Sequence, residues 1–135
     1  MLAARCLAGH WLMVAAVLSG LAVAIGAFGA HGLKPYLSEP MLAVYQTGVQ
    51  YHFVHALALL LVSILMLVAP APDAQRWLQR AAVCMLLGVV LFSGSLYSMA
   101  ITELRMLGMI TPVGGVSWLV GWTCLLMAGK RLTHL

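Results

Sequence analysis

The chain has 135 residues, 64% of them hydrophobic and only 7% charged. Water-soluble domains carry about 25% charged residues, so a soluble fold of this size could not cover its surface, and lipid is the solvent that removes the difficulty. Seven Lys/Arg against three Asp/Glu leave a formal charge of +4; these charges sit between apolar runs, where topology determinants belong, and no basic patch interleaved with aromatics speaks for nucleic acid as a partner.

In lipid the backbone must satisfy its own hydrogen bonds, which leaves helices or a closed barrel. The apolar runs are continuous and do not alternate as barrel strands would. The expected fold is therefore an all-α integral membrane protein, an antiparallel four-helix transmembrane bundle forming a single domain over 1–135. A span needs about 20 apolar residues, and four runs qualify, at about 7–30, 51–69, 81–101 and 112–129. A cleaved signal peptide is the alternative for the first, but its apolar stretch exceeds the roughly 7–15 residues of such a leader.

After the first span, Ser38 stands where it can cap a helix, with Glu39 and Pro40 in the first turn. The second helix then starts near 39 and outruns the bilayer core, so its first turns project or lie at the surface. The Pro70-Ala71-Pro72-Asp73 segment breaks the chain between spans two and three. Short connections make sequential helices antiparallel neighbours. With both termini in the cytoplasm, the inner set is Arg5, Arg76, Arg80, Lys130 and Arg131, and the outer set is Lys34 and Arg105. Five against two favours that orientation. It also places Trp11 and Trp77 at the inner interface. No second domain, linker or internal duplication is visible.

Lipid offers no hydrophobic drive for helix association, so small residues at helix contacts matter. Span one carries Ala15, Ser19, Ala22, Gly26 and Ala30 at spacings of three and four. Span three carries Ala81, Gly88, Ser95 and Thr102 at sevens, and span four Gly114, Gly121 and Ala128 at sevens. Gly26, Gly88, Gly114 and Gly121 are the expected packing glycines, within the bundle or at a seam between copies.

Tyr45, Gly48, His52 and His55 fall on one face of the second helix. Polar groups at membrane depth face the bundle. Counting turns in an antiparallel bundle brings His31, Tyr45, His52, His55, Ser93, Ser95, Tyr97 and Thr111 to one level near the outer surface, with Thr111 as N-cap and Pro112 as the first helical residue of span four. His31, His52 and His55 admit four readings: a metal site, although no carboxylate or thiol stands at ligand spacing; haem ligation; a polar path for a proton or small solute; and hydrogen bonds that fix the bundle. The last is the preferred one. His10 is expected at the interface and His134 in a solvated tail. Cys6, Cys84 and Cys124 fall toward the reducing side, with no CxxC spacing, and read as small buried hydrophobes.

Enzymes need convergent acid, base or nucleophilic groups. The acids are Glu39, Asp73 and Glu103, all in loops or at span ends. No phosphate loop, Ser/His/Asp set or HExxH occurs. Catalysis by this chain alone is not expected, and no cofactor is predicted.

GAFGAHGL at 26–33, YHFVHALALL at 51–60, FSGSLY at 92–97 and TPVGG at 111–115 occur in this order. Over nearly the whole chain they resemble the domain-of-unknown-function 423 family of small membrane proteins, related to the eukaryotic transmembrane protein 256 group. The resemblance implies a multi-pass bacterial inner-membrane protein of four helices. It implies no reaction and carries over no site residues. The expected role is a non-enzymatic structural or accessory subunit, in the lipid bilayer, as a homo-oligomer or part of a larger membrane complex. The alternative is a transporter or channel for a small solute or proton, and the third reading a metal- or haem-binding protein.

Overall fold

The computed structural model describes residues 2–69 and 71–132. Pro70 of the expected breaker and His134 of the expected tail lie outside the described residues. Every regular element is helical. Helix α1 (Leu2–Phe28) runs into a wide π turn at Gly29–Leu33, and α2 spans Glu39–Val68. Helix α3 (Pro72–Gly88) passes through a second π turn at Val89–Ser93 into α4 (Gly94–Thr102), so α3 and α4 form one rod. A 3-10 turn at Arg105–Met109 leads into α5 (Thr111–Leu132). Four rods, Arg5–Leu33, Glu39–Val68, Pro72–Thr102 and Arg105–Leu132, are long and apolar enough to cross a membrane. The shortest has 28 residues, about 42 Å at 1.5 Å per residue, longer than the ~30 Å hydrocarbon core. Charged residues at the rod ends can therefore stand at headgroup level.

The ends carry corrections to the expected caps. Ser38 has the extended backbone of a cap residue and Pro40 sits in the first turn, but the Ser38 side chain makes no capping bond. Thr111 is already helical, and its hydroxyl is used elsewhere. The third rod begins at Pro72, two turns before the apolar run, because proline at the first helical position sacrifices only an N–H that would be unpaired anyway. Arg76 and Arg80 thus sit on a helix. Gln75 ties this start to the end of α2, donating from Nε2 to the carbonyls of Met66 at 2.7 Å and Ala69 at 2.8 Å. Glu103 ends α4 in the left-handed region at φ 58.

Contacts run in sequence order, α1 on α2, α2 on α3 and α4, and α3 on α5. Leu59, Val62, Leu78 and Met85 are fully buried where the inner two rods meet. Small residues bring the backbones together. An added Cβ at Gly88 would overlap the Trp118 indole, and one at Gly114 the Phe92 main chain. At Gly121 it would lie 3.1 Å from Cys84 Cβ, and at Gly26 3.2 Å from Val49. The expected stripe of sevens in span three holds through Ala81, Gly88 and Ser95, all buried, but Thr102 is exposed. Thr102 is the last residue of α4, where the rod ends at Glu103. The π turn lies earlier, between Gly88 and Ser95, with the Gly94 N–H bonding the Val89 carbonyl five residues back. Helices α1 and α5 show broad apolar faces outward, including Met13, Val17, Val23, Val116, Leu119 and Leu126.

Candidate functional site

The polar residues expected at one level separate into three groups. In the first, α2 meets α1 and α4. Tyr45 is buried and donates its hydroxyl proton to the Ile25 carbonyl at 2.7 Å. Its ring is 5.2 Å from that of Tyr97. The Tyr97 hydroxyl lies 3.0 Å from His52 Nδ1, and Ser93 donates to the Gly48 carbonyl at 2.8 Å. Gly48 is required there, since an added Cβ would come within 2.8 Å of the Tyr97 ring. The second group is one bond, Ser95 Oγ to Thr111 Oγ1 at 2.7 Å, which joins α4 to the start of α5.

The third group encloses His55, 6% exposed. Its Nδ1 is 2.8 Å from the Tyr51 carbonyl oxygen. A carbonyl only accepts, so Nδ1 carries the proton. Nε2 is then an acceptor, and the Trp122 indole N–H donates to it at 3.2 Å. The ring stacks on Trp118 at 3.7 Å and 6°. Trp118 is fixed in turn by donating from Nε1 to the Met85 carbonyl at 3.1 Å. Tyr51 and Phe92 pack against the same indole. Outside this clamp an apolar groove of about 570 Å³ runs between α2 and α5.

His52 and His55 are both buried but serve different neighbours. His52 reaches Tyr97 on α4, whereas His55 reaches Trp118 and Trp122 on α5. A metal ligand needs a free ring lone pair, and at His55 it is taken by Trp122. The His31 side chain is exposed in the π turn after α1 and hydrogen-bonds none of the described residues. The structure therefore does not join His31 to the other two, which corrects the expectation that helix counting alone would gather them. Among the described residues, no three His, Cys, Asp or Glu come together as a metal-sized group.

Three side-chain atoms are buried without a hydrogen-bond partner among the described residues, Trp11 Nε1, Ser19 Oγ and His52 Nε2. The Leu18 main chain approaches His52 without adopting hydrogen-bonding geometry. All three orphans belong to α1 or α2. Counting turns did not find Tyr51, Trp118 and Trp122 as parts of the site. The i,i+4 spacing of the two tryptophans was a visible signal, but which helix they face depends on the packing.

A family model described as protein of unknown function (DUF423) matches residues 25–115, the stretch that contains all three groups apart from Trp118 and Trp122. The chain is similar to the UPF0382 membrane protein YwdK of Bacillus subtilis (strain 168), 42% identical over 121 residues covering 90% of this chain and 96% of that one. It is similar to the UPF0382 inner membrane protein YgdD of Escherichia coli (strain K12), at 40% over 124 residues, 91% of this chain and 92% of the relative. The UPF0382 membrane protein SH2409 of Staphylococcus haemolyticus is 36% identical over 118 residues, with 87% and 93% coverage. No solved structure matches the chain.

Proposed function

The chain belongs to the DUF423 family of membrane proteins of unknown function, and from that premise we propose that it is a non-enzymatic structural or accessory subunit of the inner membrane whose polar patch locks its own helices. The observation that carries this reading is the His55 clamp. Both ring nitrogens are spent on Tyr51 and Trp122, and one ring face stacks on Trp118. A side chain so engaged ties α2 to α5, and it has no lone pair left for a metal. The Ser93–Gly48 and Ser95–Thr111 bonds serve the same end.

In this reading the rods form an antiparallel bundle with both termini in the cytoplasm. Late residues of one rod meet early residues of the next: Ile25 with Tyr45, Met66 with Gln75, Gly88 with Trp118 and Ser95 with Thr111. The bias of five cations against two supports the direction. The broad apolar faces of α1 and α5 suit lipid or the packing of further subunits. The test is the mass of the detergent-solubilised protein after subtraction of bound detergent. Association beyond one chain of 14.4 kDa, with itself or with co-purifying subunits, is expected; a lone monomer at all concentrations would count against it.

A second reading, a path for a proton or small solute, is favoured by one observation, the orphaned Ser19 Oγ and His52 Nε2 on α1 and α2. Proton flux in liposomes that is lost in His52→Phe separates the two.

A further inference from the structure

We infer that the start of α3 holds the phosphate of an anionic phospholipid at the membrane interface. Arg76 and Arg80 are one turn apart on α3 and line a cavity of about 400 Å³ with Gln79, Val83 and Cys84. Its wall changes character along the helix. The two guanidinium groups and the Gln79 amide stand at the helix start, and Val83 and Cys84 follow where the apolar run begins. That sequence of chemistry matches a phospholipid, with an anionic head above and an acyl chain below. The floor is close to the contact of α3 with α5, where Cys84 faces Gly121.

The charge is unbalanced in the direction the ligand needs. Arg80 meets no carboxylate among the described residues; its guanidinium carbon lies 4.7 Å from the centre of the Trp77 ring, which orients it without neutralising it. Arg76 has one contact with Asp73 at 3.3 Å, both side chains well exposed, so most of its five donors are unspent. Among the described residues Asp73 is the one carboxylate side chain at this end of the bundle, against Arg5, Arg76, Arg80 and Arg131. A guanidinium offers two parallel N–H groups to a phosphate oxygen pair, and basic side chains at the membrane surface attract anionic headgroups. The site requires only that these residues lie at headgroup level, so it stands apart from the accessory role and from the orientation of the termini.

The test is native mass spectrometry and thermal stability of the purified full chain in neutral detergent, with phosphatidylglycerol or phosphatidylcholine added. Phosphatidylglycerol should stay bound and raise the melting temperature more than phosphatidylcholine does. Arg80→Gln and Arg76→Gln should each weaken its retention about fivefold, ~1 kcal/mol per arginine. Arg80→Lys should recover part of the loss, since the charge returns without the paired donors. Arg105→Gln, at the other end of the bundle, should leave retention unchanged. Both α3 variants change exposed side chains, and an unaltered far-UV circular dichroism spectrum confirms their fold. Equal retention of the two lipids, or full retention by the double glutamine variant, would overturn the proposal. Displacement of the lipid by millimolar inorganic phosphate would also overturn it, in favour of a free-phosphate site.

Discussion

Replacing His55 by Phe isolates what the clamp contributes, because the substitution keeps a flat ring against Trp118 and deletes both hydrogen bonds. The stack at 3.7 Å survives, while the bonds to the Tyr51 carbonyl and from the Trp122 indole are lost. Side-chain hydrogen bonds between transmembrane helices average about 0.6 kcal/mol, with a maximum near 1.7. The interhelical bond from Trp122 and the bond to the Tyr51 carbonyl within α2 together put the expected loss for His55→Phe at roughly 1–2 kcal/mol. His55→Ala should cost more, because it also removes an aromatic pair worth about 0.5–1.5 kcal/mol and leaves a hole beside Trp118. The Trp122 bond is isolated by a double-mutant cycle with Trp122→Phe, where a coupling of about 0.6 kcal/mol is expected. The assay is reversible unfolding in mixed micelles followed by far-UV circular dichroism, since tryptophan fluorescence changes with the mutation itself. A cycle with no coupling, together with an unaltered His55→Phe, would refute the assignment of His55 as a structural clamp.

Gly88→Ala forces a methyl into the Trp118 indole, and Gly114→Ala forces one into the Phe92 backbone. Each should destabilise by about 1–3 kcal/mol, whereas Gly20→Ala, with open space around it, should be neutral or slightly stabilising in the same unfolding assay. Gln75→Ala removes the two bonds that close the end of α2 and should speed hydrogen exchange of amides near Leu65–Ala69 without altering those around Tyr45. Single cysteines in place of Lys34 and Arg131, in a background with Cys6, Cys84 and Cys124 changed to Ala, should react with an impermeant thiol reagent from opposite sides of the membrane, Lys34 from outside. Labelling of both from one side would refute the proposed topology.

Much of the fold was legible because it follows from lengths and solvent. Runs of about 20 apolar residues in a chain with 7% charge can only be spans, and Glu39-Pro40 marks a helix start by backbone chemistry alone, whereas Pro72, legible only as part of a breaker, opens the third rod. The site was legible in part. Ser95 meets Thr111 and His52 meets Tyr97, pairs that counting turns in the expected bundle puts within reach. What counting cannot supply is azimuth. The π turn at Val89–Ser93 inserts a residue, so Ser93 and Tyr97 turn toward α2 while Ser95 faces α5. The π turn after α1 likewise leaves His31 outside the patch. No periodicity announces a π turn, and the cost of such a local defect is settled by the packing it permits. The aromatic partners of His55 were missed for the same reason: an indole N–H in a span has to find an acceptor, but the acceptor lies 67 residues away.

The two histidines should respond differently when their bonds are deleted, and that contrast distinguishes structure from function. His55 is satisfied at both nitrogens, so Phe there is a loss. His52 is 3% exposed with Nδ1 paired to Tyr97 and Nε2 unpaired among the described residues. A buried polar atom without a partner costs about 1–3 kcal/mol, while the Tyr97 bond returns about 0.6 kcal/mol. Replacing both partners by Phe, in the variant His52→Phe with Tyr97→Phe, deletes the bond and the orphan together and should stabilise the bundle by roughly 0.5–2 kcal/mol. His52→Phe alone should be close to neutral, because it exchanges the Nε2 orphan for an unpaired Tyr97 hydroxyl. A stabilised double variant would mean that the chain keeps His52 at a cost in stability, and residues kept on those terms are the ones that function requires. The second reading, a proton or solute path past Ser19 and His52, would then gain on the accessory role. Destabilisation of the double variant by more than about 1 kcal/mol would refute the reasoning, since a single bond between helices is worth less than that on average and His52 would have to be as fully engaged as His55.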